Sequence, residues 1–221
     1  MNTFTTSVQR FNEFALEYAE RFMVIDSYLT SIDKFCDLIS TDHPHILELA
    51  CGPGNITRYI KQRFPASDLI AIDLAPKMID IARQQVKGVD FRLMDVRDIS
   101  MFDTTFDAIM CSFCLPFLSS QDTNALVEHC AGSLKKNGVL YLSTMEGDES
   151  MAGYEPTNFS GEQKIYFNYH QQQDLENALT ACGFVIDRIT RQDYHEPDGR
   201  ITTDMIFIAK KIPGKDKHQP V

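Results

Sequence analysis

The residues of this sequence best suited to chemistry are two carboxylates held on either side of a run of small residues. Glu48 and Leu49 lead directly into Ala50, Cys51, Gly52, Pro53 and Gly54, and Asp73 lies nineteen residues past Gly54. Small side chains let the backbone turn sharply and let a ligand approach the main chain. Asn55 and Thr57 then begin a helix whose free N–H groups point at that ligand. An acid at the distance of Asp73 accepts hydrogen bonds from both hydroxyls of a ribose when it ends the next strand. Together these features describe a nucleotide-type site.

The elements that must position these residues follow from apolar spacing. Ile46, Leu47 and Leu49 form a short run suited to a parallel strand buried on both faces, and the segment DLIAI (Asp68 to Ile72) is a second such strand closing on Asp73. Between them a helix runs through Tyr59 to Arg63 and stops at Phe64-Pro65. Pro76 opens the next helix, with Met78, Ile79, Ile81 and Ala82 on its apolar face. Gly88 to Met94 predicts a third strand ending at Asp95-Val96, Phe106 to Phe113 a fourth, and Gly138 to Ser143 a fifth. Helices are expected over Asp122 to Leu134 and Gln172 to Ala181. Phe184 to Thr190 and Thr202 to Ala209 read as two strands joined by the polar loop Glu196 to Gly199, and with no helix between them they should be antiparallel.

Two segments stand outside this alternation. Phe11, Phe14, Tyr18 and Phe22, then Tyr28, Ile32, Phe35 and Ile39, recur at helical spacing and predict two amphipathic helices before the first strand. Their aromatic stripe is read as packing, with Tyr18 and Tyr28 available as a roof over the ligand. Residues 144–165 have little periodicity and follow the fifth strand, at the edge of the sheet where ligands bind in open α/β folds. The expected organisation is one domain over residues 1–211, with a helical cap (1–42), a lid-like insertion (144–165) and a flexible tail (212–221).

Composition narrows the partners. A formal net charge of −10 disfavours a nucleic-acid backbone as ligand. No apolar run is long enough to cross a membrane, and the N-terminal MNTFTTSVQR lacks the apolar core of a signal peptide, so a cytoplasmic location and no membrane partner are expected. The six cysteines are scattered among apolar neighbours, as reduced thiols are, and Cys111-Ser112-Phe113-Cys114 has no second pair at ligand spacing, so no metal is expected.

The segments ILELACGPGNIT, AIDLAPKMIDIA, the pair Asp95-Val96, FDAIMCSFCLPFL and LKKNGVLYLST, in that order over residues 45–143, resemble the successive motifs of class I S-adenosylmethionine-dependent methyltransferases. The resemblance implies a Rossmann-like three-layer α/β/α sandwich whose seven-stranded, mostly parallel sheet has an antiparallel last strand. It implies S-adenosyl-L-methionine as cofactor and methyl transfer to a small-molecule acceptor by in-line displacement, in a monomer or homodimer. By the same resemblance Glu48, Ala50 and Gly52 lie along the methionine part of the cofactor, Asp73 holds the ribose, and Leu74 and Met78 pack near the adenine. Asp95 and Val96 frame the adenine edge, and Cys111 and Phe113 sit near the sulfonium and the substrate entrance. Ala50 departs from the family's usual first glycine. If the acceptor must lose a proton, His170 is the first candidate base, followed by Tyr154 and then Tyr166 and His195, because they lie in or beside segments on the substrate side.

Two rival readings share these elements. An NAD(P)-dependent oxidoreductase also uses strand, glycine turn, helix and ribose acid, but the turn here lacks the third glycine, and Glu48 would place a carboxylate near the pyrophosphate. A non-catalytic cofactor-binding protein fits the same residues. The polar-Pro-Pro-aromatic signature of amino-methylating nucleic-acid enzymes is also absent, Leu115-Pro116-Phe117 being a faint echo of it.

Overall fold

A computed structural model describes residues 3–195 and 199–212. The alternation of strand and helix builds β1 (His45–Leu49), β2 (Asp68–Asp73), β3 (Asp90–Leu93), β4 (Phe106–Cys111) and β5 (Leu134–Met145). β1 pairs in parallel with β2 and β4, β2 with β3, and β4 with β5. A separate antiparallel ribbon follows, β6 (Gly153–Pro156) with β7 (Lys164–Phe167). β8 (Phe184–His195) and β9 (Ile201–Lys211) then complete a seven-stranded sheet in the order β3-β2-β1-β4-β5-β9-β8. β9 is antiparallel to both of its neighbours, so it alone runs against the other six strands. This is the Rossmann-like α/β sheet with an antiparallel last strand that the sequence predicts.

Among the described residues seven α-helices flank the sheet: α1 (Thr3–Glu13), α2 (Ala15–Phe22), α3 (Leu29–Asp37), α4 (Asn55–Arg63), α5 (Pro76–Gln85), α6 (Ser120–Ser133) and α7 (Gln172–Ala181). Alternate residues of a doubly covered strand must serve opposite layers. Leu47, Leu49, Ile70, Ile72, Ile109 and Leu140 accordingly pack with Leu126 and Val127 of α6 and Leu175 and Leu179 of α7. Ile46, Leu69, Ala108, Met110 and Tyr141 face the other way, onto Ile32 and Phe35 of α3 and Ile56 and Ile60 of α4. Each fully buried Leu or Ile stabilises the fold by about 1.5–3 kcal/mol.

The structure differs from the sequence reading in three places. Three helices precede β1 instead of two, because Phe4, Val8 and Phe11 extend the helical spacing toward the N-terminus and Phe14 (φ −101°, ψ 30°) breaks the run between α1 and α2. Residues 144–165 are not wholly irregular: the β6–β7 ribbon sets Tyr154 opposite Tyr166. β5 starts earlier than expected, directly after α6. The expected tail beyond Ile212 lies outside the described residues, as do Glu196, Pro197 and Asp198.

The turn after β1 places Ala50, Gly52 and Gly54 all at positive φ, 51°, 55° and 87°. At Gly54 a Cβ would also meet Cα and Cβ of Ala82 in α5 at 3.2 Å. Glycine is therefore required at 54 by both conformation and space, while Ala50 holds a left-handed conformation that costs an ordinary residue about 1–2 kcal/mol. Glycine relieves that strain but loses about 0.5–1 kcal/mol to chain entropy. Urea unfolding should therefore show Ala50→Gly raising stability by up to about 1 kcal/mol, and Gly54→Ala lowering it by more than 1 kcal/mol.

Candidate functional site

Asp73 binds the turn before it binds anything else. Its Oδ2 accepts from the Gly52 N–H at 2.9 Å and its Oδ1 from the Ala75 N–H at 2.8 Å. β2 ends beside the turn of β1 because Leu49 pairs with Ile72 and the Cys51 N–H donates to Ile72 O at 2.9 Å. Burial raises the Asp73 pKa above the usual carboxylate value, and the N–H donors work against that rise.

Glu48, one residue before the end of β1, is 2% exposed. Burial pushes its pKa up to about 8, with Thr57 opposing the shift. Among the described residues Glu48 Oε2 and Thr57 Oγ1 are buried without a hydrogen-bond partner. A native fold rarely leaves such an atom unpaired, so Glu48 Oε2 is suited to a polar partner in the cavity that Glu48 lines.

That cavity has a volume of about 600 Å³ and runs along the carboxyl ends of the strands, a size suited to a small-molecule site. Ala50, Gly52, Asp73, Leu74, Met78 and Val96 form one end of it. Tyr18 lies over the turn, its Cε1 3.9 Å from where a Cβ on Gly52 would be, and burial followed by the charge of Asp73 raises its pKa to about 12. Tyr18 belongs to an aromatic cluster. It packs on Phe11 (5.5 Å between ring centroids), Phe22 (4.6 Å) and Phe159 (5.0 Å), the last delivered by the turn between β6 and β7. Asn55 Nδ2 to Phe22 O and Arg58 to Met23 O, at 2.9 and 3.1 Å, tie α2 down onto α4.

Phe113, just past β4 with φ 53°, also lines the cavity, and its N–H donates to Ser143 Oγ at 2.9 Å. Cys111 and Asp95 do not reach the wall: Cys111 is fully buried in the core, and the Asp95 carboxylate is held by Arg97, at 2.6 Å to Nη2. His170 is also elsewhere. Its Nε2 bonds Leu115 O at 2.9 Å, its N–H donates to Met145 O, and its carbonyl accepts from Gly147, so it fastens the insertion to the end of β5. Burial lowers its pKa. Tyr154 is 52% exposed and packs edge-on against Tyr166, with neither on the cavity wall. The His195 side chain lies outside the described residues.

A polar pair that the motifs did not disclose lines the opposite end. Tyr28 Oη donates to Asp204 Oδ2 at 2.6 Å, and Asp204 is 5% exposed. The sequence does carry a signal for it, since an acid inside the apolar strand ITTDMIFIAKK is out of place unless it serves a site.

Residues 46–138 match the family model described as methyltransferase domain. Over this segment the chain is similar to a methyltransferase domain. Among curated relatives, malonyl-[acyl-carrier protein] O-methyltransferase of Bacillus anthracis is 31% identical over 62% of this chain and 51% of its own length. Demethylmenaquinone methyltransferase of Thermotoga maritima is 29% identical over 49% of this chain and 47% of its own. The chain thus spans about half the length of the curated relatives it matches. Magnesium protoporphyrin IX methyltransferase of Synechocystis PCC 6803, solved with bound S-adenosylmethionine, superposes with a TM-score of 0.68 at 16% identity, covering 96% of this chain and 98% of that one. The matched residues include the turn, Asp73, Leu74, Met78 and Val96, whereas Tyr28, Phe159 and Asp204 lie outside them.

Two outcomes follow. Asp73→Ala strands the Gly52 and Ala75 N–H groups, so ligand-free stability in urea should fall by about 1–3 kcal/mol. Glu48 binds a proton in the folded chain between its ordinary pKa, near 4.5, and about 8, so its contribution is full at low pH and is lost as pH rises through that window. Glu48→Gln should therefore gain stability relative to the unsubstituted chain between pH 5 and 8, by at most about 1.4 kcal/mol per pH unit, and the difference should level off above pH 9.

Proposed function

We propose that the protein is an enzyme that transfers a methyl group from S-adenosyl-L-methionine to a small-molecule acceptor. The observation that carries this reading is the join of Asp73 to the Gly52 N–H in a cavity that Glu48, with its unpaired Oε2, also lines. The fit is chemical. Glu48 supplies an acceptor for the amino group of a methionine tail, Asp73 keeps lone pairs for a ribose diol, and Leu74, Met78 and Val96 offer a flat apolar slot for adenine. A pyrophosphate-bearing dinucleotide would instead bring two negative charges toward the Asp73 carboxylate, which disfavours the nicotinamide reading.

When bound, the cofactor supplies a methyl group already activated by its sulfonium, so the protein's work is positioning and exclusion of water. Tyr18, Phe11, Phe22 and Phe159 close the cavity from α1, α2 and the β6–β7 turn, and we assign these segments to the acceptor side as a cap and lid. The rigid turn is assigned to the cofactor end, and Phe113 lines the cavity beside Tyr28. A protein that binds the cofactor without turnover shares this geometry, and detection of methyl transfer separates the two.

Scanning calorimetry tests the reading. S-adenosylmethionine or S-adenosylhomocysteine at one hundred times its dissociation constant should stabilise the protein by about 2.7 kcal/mol, seen as a clear rise in Tm. Nicotinamide dinucleotides at the same concentration should leave Tm unchanged. The opposite ranking would overturn the methyltransferase reading.

A further inference from the structure

The Tyr28–Asp204 pair lies on a part of the cavity that the cofactor does not need. Asp204 stands in β9 opposite Met145 of β5. Three strand spacings separate β9 from β1 and four separate it from β2, which puts Asp204 about 14 Å across the sheet from the glycine turn and about 19 Å from Asp73. The residues that would hold the cofactor lie at β1 and β2, with β4 and β5 between them and Asp204, so Asp204 is left to what lies beyond the cofactor. Tyr28 marks the same boundary, its ring edge-on to Phe113 at 5.2 Å. Burial, then the neighbouring Asp204 charge, raises the Tyr28 pKa far above the usual phenol value, so its hydroxyl is a fixed donor that orients the carboxylate and is no base itself.

Resting on the methyltransferase reading, we propose that Asp204, oriented by Tyr28, receives the nucleophilic end of the acceptor, and that this end is an amine carried on an apolar body. The charges on the wall favour it. Asp73, Glu155 and Asp204 face the cavity with Arg21 as the one basic residue among its described lining, while burial keeps Glu48 protonated up to about pH 8. Arg200, at 2.7 Å, neutralises Glu155. Anionic acceptors are repelled by this balance, while an ammonium gains a charge-assisted hydrogen bond to Asp204 and favourable contact with aromatic faces. A neutral hydroxyl gains only the weaker, uncharged form of that bond. Before transfer, one ammonium proton passes to the Asp204 carboxylate and frees the nitrogen lone pair. That lone pair forms the new N–C bond as the C–S bond breaks, its electrons remaining on sulfur. The methylated nitrogen leaves as an ammonium, and the proton on Asp204 returns to solvent. The segment matched by the family model ends before β9.

The test uses the full chain saturated with S-adenosylhomocysteine and six probes: 2-phenylethylamine and dodecylamine, with the alcohol and the carboxylate of each body. Thermal shift and titration should show a response to the amines above that to the alcohols and none to the carboxylates. With S-adenosylmethionine labelled in its methyl group, label should appear on an amine. Asp204→Asn should lose about tenfold or more in amine affinity, equivalent to about 1.4 kcal/mol, while its affinity for S-adenosylhomocysteine stays within about twofold. Tyr28→Phe should weaken amine binding less than Asp204→Asn does. Equal response to the three head groups, preference for a carboxylate, unchanged amine affinity in an Asp204→Asn protein that still takes up S-adenosylhomocysteine, or no amine response in the unsubstituted chain so loaded overturns the amine assignment. Failure to take up S-adenosylhomocysteine overturns the reading beneath it.

Discussion

The hydrogen bond from the Gly52 N–H to Asp73 Oδ2 is the constraint on which the site depends. It joins the turn of one strand to the end of the next, so the conformation of the turn and the position of the carboxylate are a single geometric fact. Three positive-φ residues in five would be a loose loop in isolation. With Asp73 holding one side and Ala82 of α5 packed under Gly54 on the other, the backbone N–H groups are fixed before a ligand arrives. Preorganisation of this kind lowers the entropy lost on binding.

Much of this half was legible because the information is local. Small residues from Ala50 to Gly54 can only be a tight turn, and the register of β1 with β2 follows from two apolar runs of similar length. Residues whose direction depends on a competing neighbour were less legible. Asp95 has an arginine two positions on, and that pair takes its carboxylate away from the cavity. His170 sits where the substrate side was expected, yet a carbonyl 55 residues earlier claims its ring. Tyr28 and Asp204 meet across 176 residues of sequence, a contact that no periodicity encodes.

The cap and the insertion show the same division in packing terms. α1 and α2 carry an aromatic stripe that reads as ordinary packing from sequence, but the buried residues of α2 are Ala15 and Ala19. The aromatic members instead meet Phe159 from a segment with little pattern of its own. Each side supplies what the other lacks, a rigid helical surface on one hand and a reaching side chain on the other. The ribbon is held to the rest through Arg200, the residue before β9, to Glu155 at 2.7 Å and through Ser7 Oγ of α1 to Tyr166 O at 3.4 Å, so its position is set from beside β9 as well as from the cap.

The place of β9 in the sheet has a consequence for assembly. It fills the gap between β5 and β8, and β8 touches the sheet only through it. β1 to β5 are complete, in parallel order and with their crossover helices, once the chain has reached Met145. β8 must then wait with both edges unpaired until the last described strand arrives, and that strand brings Asp204 with it. During synthesis the half that holds the turn and Asp73 is therefore able to form first, and the opposite wall is finished only by the final insertion, a long-range step of the slow kind.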